Sequence, residues 1–296
     1  MTRLHARFAI HLAAVLFGLT GILGELIQAD ATTITAGRAG FAVLTFLILG
    51  RLRGQHSTPR RRPATRGLIT LALAAAMLAI HWITFFIAVK VGGVALATLG
   101  FASFPAFITL GEYFILREPV STREWLVLGL VSVGLILVTP SFDLANQATT
   151  GLLWGLLSGL TFAWFTLINR QVARRVAASQ VASWENLFVL LFTLPFAISG
   201  LWSMSAIDWL WMALLGVFCT ALSHYLLVAS MTVLKASSAG IVIALEPVYA
   251  IVFAAILFAQ YPSARAILGG TIMIAAIVWS GLNRRSPKED GVNAAP

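Results

Sequence analysis

Glu246 stands directly before Pro247 in an otherwise apolar stretch, and Arg38 and His81 interrupt two other such stretches. Ionisable side chains in apolar surroundings are costly, and within a membrane they face a cavity or a partner. As a carboxylate, Glu246 could receive an ammonium group; as the neutral acid, it could donate a hydrogen bond to a broken helix. Arg38 could hold a carboxylate, pair with an acidic neighbour, or run its head out to the membrane surface. Trp82 and Phe85 flank His81, Phe101, Ser103 and Phe107 follow in the next stretch, Trp164 comes later, and Tyr249 lies just past Pro247. Rings with one imidazole and one hydroxyl suit a small molecule with a large side chain, although the same residues serve equally as core or lipid-facing packing. Ser103 and Phe107, four apart, share a helix face. Glu25, Glu112 and Glu185 fall within or near stretch ends, where solvation or Arg pairing is expected. His11 and His224 read as packed, hydrogen-bonded histidines.

Pro105 and Pro247 supply a different kind of chemistry. Each lacks an N–H and cannot bond the carbonyl four residues back, Phe101 or Ile243, so each frees backbone near mid-stretch and marks a place to flex or gate. Enzymatic signatures are missing: there is no H-E-x-x-H, Cys/His cluster, P-loop or Gly-rich dinucleotide turn. An enzyme, a bound metal and a cofactor are therefore not expected. Cys219 is the single cysteine, which rules out an intramolecular disulfide.

These residues sit in a chain that is 59% hydrophobic and 10% charged, with mean hydropathy +0.91. Soluble domains carry about a quarter charged residues. Apolar stretches fall at about 8–27, 32–50, 67–89, 93–116, 122–139, 150–169, 180–200, 207–233, 236–258 and 264–282. Each is long enough for a membrane helix, and the alternation of barrel strands is absent. The expected fold is all-α and integral to the membrane, with ten transmembrane helices.

The net charge of +9 does not point to nucleic acid, because the basic residues alternate with the stretches. One set of ends is assigned Arg3, Arg7, Arg51, Arg53, Arg60, Arg61, Arg62, Arg66, Arg117, Arg123, Arg170, Arg174, Arg175, Arg265, Arg284, Arg285 and Lys288. The opposite ends are assigned only Lys90 and Lys235, with Arg38 inside a span. Both termini are then cytoplasmic, with anionic lipid meeting the basic face.

The chain also repeats. Lys90 parallels Lys235 and Pro105 parallels Pro247. Pro119-Val120-Ser121-Thr122-Arg123 parallels Pro262-Ser263-Ala264-Arg265, and Gly18-Leu19-Thr20 parallels Gly159-Leu160-Thr161. Residues 1–142 and 143–296 thus read as two five-helix units, and five being odd, the second unit is inverted. Inverted repeats are a common construction of secondary transporters, and paired interruptions point to a midplane site. Gly151, Gly155 and Gly159 form a ladder for close helix approach, and Gly92-Gly93 permit a tight turn.

Phe104-Pro105-Ala106-Phe107, Leu116-Arg117-Glu118-Pro119-Val120-Ser121, Leu245-Glu246-Pro247-Val248-Tyr249 and Arg38 resemble the drug/metabolite transporter superfamily, in its ten-helix EamA-type members. The chain departs from that pattern at Gln260 and Tyr261, where a Glu commonly precedes the proline. The resemblance extends to bacterial amino-acid exporters, including those for aromatic amino acids. It implies an exporter of amino acids or similar small metabolites in a bacterial inner membrane; the mechanism expected is alternating access, by a monomer. The alternatives are a carrier of phosphorylated sugars or nucleotide-sugars, and a channel-like or non-transport membrane protein.

Overall fold

A computed structural model describes residues 2–52, 65–141, 143–172, 178–231, 242 and 245–282. The regular elements among them are helices, as a bilayer requires of a chain that must pair its own backbone N–H and C=O groups. In order they are α1 (Arg3–Leu26), α2 (Ala31–Leu52), α3 (Thr65–Phe101), α4 (Phe104–Phe114), α5 (Thr122–Val138), α6 (Gln147–Val172), α7 (Ala178–Ser203) and α8 (Ala206–Gly216). A π-helical turn (Val217–Leu222) leads into α9 (Ser223–Met231), followed by α10 (Glu246–Phe258) and α11 (Ala264–Leu282). Six described stretches are long and apolar enough to cross a membrane, and α10 and α11 carry shorter apolar runs. Large apolar side chains such as Phe196 and Ile256, 77% and 73% exposed, project outward, where lipid rather than water would cover them.

The expected turn between the third and fourth spans is a reversal inside α3. Gly93 adopts φ +80°, a conformation open to glycine and strained for other residues. The direction of each leg can be read against α6. On the first leg, Ala88 and His81 meet Gly151 and Ser158; on the second, Gly100 and Phe101 meet Gly155 and Gly159, with Gly92 at the turn against Gly151. So α6 is antiparallel to the first leg and parallel to the second, and the glycine ladder lets it sink between them. A Cβ on Gly92 would sit 2.8 Å from the Gly151 Cα.

Both prolines start helices after a break; neither kinks a continuous helix. Pro105 and Pro247 stand in the first turns of α4 and α10, where an N–H would have no helical partner. The Ser103 carbonyl accepts from the N–H groups of Ala106 (2.9 Å) and Phe107 (3.4 Å). The Leu245 carbonyl accepts from Val248 (3.0 Å) and Tyr249 (3.2 Å) in the same pattern. A glycine from the other half presses on each break: Gly159 on Phe101, Ser103 and Phe104, and Gly18 on Glu246, Tyr249 and Ala250. The repeat that the sequence suggested is thus present at atomic detail, with α6 seated beside one break and α1 beside the other.

Three expectations are corrected. Arg265 does not share an end with Arg123. It donates to the Ile136 carbonyl (3.0 Å), near the C-terminal end of α5, whereas Arg123, at the start of α5, donates to the Trp279 carbonyl near the end of α11 (3.0 Å). Because α11 runs antiparallel to α5, it begins where α5 finishes. Glu185 is not at a solvated helix end but 3% exposed inside the bundle, and His11 is exposed instead of packed. Ile243, Lys235, Arg53, Arg60, Arg61, Arg62, Arg174, Arg175, Arg284, Arg285 and Lys288 lie outside the described residues.

Candidate functional site

Gly216 brings α2 against the end of α8, since a Cβ there would press into Phe41 and the Arg38 backbone. Just past it the helix widens into the π turn, a local irregularity that recurs at functional sites. There the Thr220 hydroxyl donates to the Leu215 carbonyl five residues back (2.9 Å) and accepts from Arg38 Nε (3.1 Å). The Arg38 guanidinium carbon lies 4.0 Å from the Trp82 ring centroid and 5.5 Å from that of Phe86. At 4% exposure, Arg38 does not reach the membrane surface. Half-buried Glu246 and buried Cys219 lie within its electrostatic reach. A cation held by one hydrogen bond and two ring faces keeps other donors for a ligand.

Next to Trp82, His81 enters an aromatic cluster that joins α3, α4 and α6. Its ring centroid is 4.9 Å from Phe162, 5.1 Å from Phe101 and 6.3 Å from Phe85. Phe104 stacks on Phe101 at 5.1 Å and meets Phe162 edge-on at 5.1 Å. His81 Nδ1 lies 2.7 Å from Ser158 Oγ and 3.1 Å from the Ser158 carbonyl, while the Ser158 hydroxyl donates to the His81 carbonyl (3.2 Å). A carbonyl only accepts, so these partners place the imidazole proton on Nδ1.

The structure thus brings Arg38, His81, Trp82, Phe85 and Phe101 together, with Glu246 in electrostatic reach. It separates others. Ser103 is 1% exposed and donates to the Gly100 carbonyl (2.7 Å), closing the break before α4. Phe107 and Trp164 line a different, apolar groove of about 190 Å³ between α4 and α6, with Leu110, Gly111 and Leu167. Tyr249 is half-buried over Gly18. Phe104, Phe162 and Thr220 join the site without having been singled out beforehand. Phe104 had a signal, its place in the Phe-Pro motif, whereas the other two had none.

One end of the bundle is tied by polar contacts. Lys90 Nζ donates to the carbonyls of Glu25 (3.0 Å) and Ile27 (2.7 Å), which close α1. Gln260 Oε1 accepts from the Val94 N–H beside Gly93 (3.1 Å). Asp208 accepts from the Gln28 N–H (2.8 Å) and caps α8 with Ser205. Four segments, α1, α3, α8 and α10, are thereby joined at the end opposite Arg123.

An all-helical, multi-pass membrane protein with two repeats, broken helices and a buried arginine stacked on aromatic rings has the build of a secondary transporter. The model of the EamA-like transporter family matches it twice, over residues 6–139 and 149–282, and the chain belongs to that family, within the drug/metabolite transporter superfamily. It is 25% identical over 278 residues to an "Uncharacterized transporter" of Archaeoglobus fulgidus, covering 91% of this chain and 94% of that protein. It is 20% identical over 278 residues to "Uncharacterized transporter YxxF" of Bacillus subtilis, covering 93% and 88%. Against "Uncharacterized transporter YetK" of the same organism it is 22% identical over 192 residues, and this match spans 58% of YetK's length. A solved crystal structure superposes with TM-score 0.63 at 16% identity, over 95% of this chain and 98% of that one, a likeness of fold alone.

Proposed function

We propose that this transporter exports an amino acid or a similar small metabolite by alternating access, through a midplane cavity between its two halves. The observation that carries the reading is Arg38, held in the bundle interior on the faces of Trp82 and Phe86 with Glu246 in electrostatic reach. One cation and one carboxylate suit a zwitterion, with Arg38 taking the carboxylate and Glu246 the ammonium. His81, Trp82, Phe85 and Phe101 take the large side chain, and Tyr249 flanks Glu246. Ser103 supports the break, while Phe107 and Trp164 line the path alongside α4. The breaks at Pro105 and Pro247 are the places where the path opens and closes. The protein works as a monomer in a bacterial inner membrane with both termini cytoplasmic. A phosphorylated-sugar substrate is less well served, because Arg38 is the one buried Lys or Arg among the described residues.

Counterflow in proteoliposomes across a panel of amino acids tests the reading. Saturable exchange is expected, with Arg38→Gln and Glu246→Gln each lowering it at least tenfold. Absence of flux for every amino acid, or full flux in both variants, sinks it.

A further inference from the structure

The groove between α4 and α6 is a slot that the equivalent helix pair, α10 and α1, fills with its own side chains. Gly111 of α4 and Ala163 of α6 line it. Carried across by the Pro105–Pro247 and Gly159–Gly18 parallels, Gly111 corresponds to Phe253 of α10, and Ala163 to Ile22 of α1. Ile22 is buried in the main apolar core, and Phe253 packs against that core. Where one pair carries a phenyl ring and a branched chain, the other carries a hydrogen atom and a methyl group. A space of about 190 Å³ stays open there.

The described lining side chains are apolar apart from the indole N–H of Trp164, so water would lack the two to four polar partners it needs. Trp164, Phe114 and Ile115 are exposed at the bundle surface, so the slot opens outward, toward lipid. From Phe107 to Ile115 it follows α4 for about 12 Å, at 1.5 Å per residue. At its Phe114 end an aromatic cluster begins: the Phe114 ring lies 4.8 Å from Tyr113, which meets Trp125 of α5 at 5.2 Å. Tyr113 and Trp125 are exposed, and such residues mark the headgroup level of a membrane. Two residues beyond Ile115 the chain turns at Arg117, which is exposed and has a left-handed backbone (φ +54°). A guanidinium fork matches a phosphate. An apolar slot thus begins at headgroup level, with a cation beside its mouth.

We propose that the α4–α6 groove holds one acyl chain of an anionic phospholipid, whose phosphate meets Arg117. The lipid takes the place that Phe253 and Ile22 occupy in the equivalent pair. Its chain completes the outer wall of the path proposed alongside α4, but its binding does not depend on what the protein carries.

The test is native mass spectrometry of the delipidated full chain in detergent, titrated with phosphatidylglycerol or with phosphatidylcholine of the same acyl chains. One tightly held lipid is expected, with phosphatidylglycerol favoured about fivefold. Gly111→Phe with Ala163→Ile, which copies the filling residues of the equivalent pair, should weaken binding of both lipids roughly tenfold. Arg117→Gln should abolish the preference for phosphatidylglycerol and leave phosphatidylcholine binding as it was. Unchanged lipid binding in the filled variant overturns the proposal, and so does equal affinity of the parent protein for the two lipids. A dimer that added lipid does not dissociate, and that the filled variant no longer forms, would make the occupant a second copy and overturn it as well. Arg117→Gln lies on the surface and keeps the test decisive where the filled variant fails to fold: an undiminished preference there overturns the proposal.

Discussion

With Nδ1–H engaged by Ser158, His81 has only Nε2 left to offer a ligand. Arg38 is similarly constrained, because its Nε–H is committed to Thr220 and its plane lies on Trp82. Lysine would keep the charge but lose both the Nε–H and the flat face. Arg38→Lys should therefore lower uptake efficiency about tenfold while the protein still elutes as a single species; unchanged uptake would mean that charge alone matters there. Much of this neighbourhood was readable in advance, because an ionisable or aromatic residue inside an apolar stretch stands out. Phe162 did not, since one phenylalanine among 19 carries no mark of its own. Ser103 and Phe107 do share a face, since the Ser103 carbonyl accepts from the Phe107 N–H and both lie against α6, but Phe107 falls in the groove alongside α4 and not among the rings around His81, because the break at Phe101–Ser103 interrupts the helix between them.

Helices in this bundle approach through missing side chains. A Cβ on Gly151 would collide with the Gly92 backbone, whereas one on Gly129 of α5 would meet nothing within 4 Å. Gly151→Val should accordingly drive α6 from between the legs of α3 and lower the midpoint of thermal unfolding in detergent by several degrees. Gly129→Ala should leave it unchanged or raise it slightly, by removing backbone freedom from the unfolded chain. Equal midpoints for the two would contradict the packing described. Spans and glycine ladder were legible from apolar length and small-residue spacing. The side on which Arg265 lies was misread for an instructive reason. Pro262-Ser263-Ala264-Arg265 parallels Pro119-Val120-Ser121-Thr122-Arg123, and in an inverted repeat equivalent positions lie on opposite faces, so assigning both arginines to one set of ends conflicts with the repeat itself. The contacts with Ile136 and Trp279 show the inversion directly.

At the scale of the molecule, the polar tie at the Lys90 end depends on few bonds. Gln260 is the side chain that accepts from Val94, next to the reversal that Gly93 makes at positive φ. Gln260→Ala should raise amide hydrogen exchange across 92–96 without changing exchange in α5, as measured by mass spectrometry; unaltered exchange at 92–96 would mean that Gln260 does not hold this end together. Nothing in the sequence announced this contact, because it joins residues far apart in the chain through one amide oxygen.

Cys219 sits in the π turn, 1% exposed, beside the residue that holds Arg38. As the single thiol in the chain, it makes the unaltered protein its own reporter. If the proposed alternating access opens a path beside the π turn, a water-soluble maleimide supplied from one side of the bilayer reaches it only while that path is open to that side. Labelling rates from the two sides would then report the opening proposed at each side, with no background cysteine to remove first.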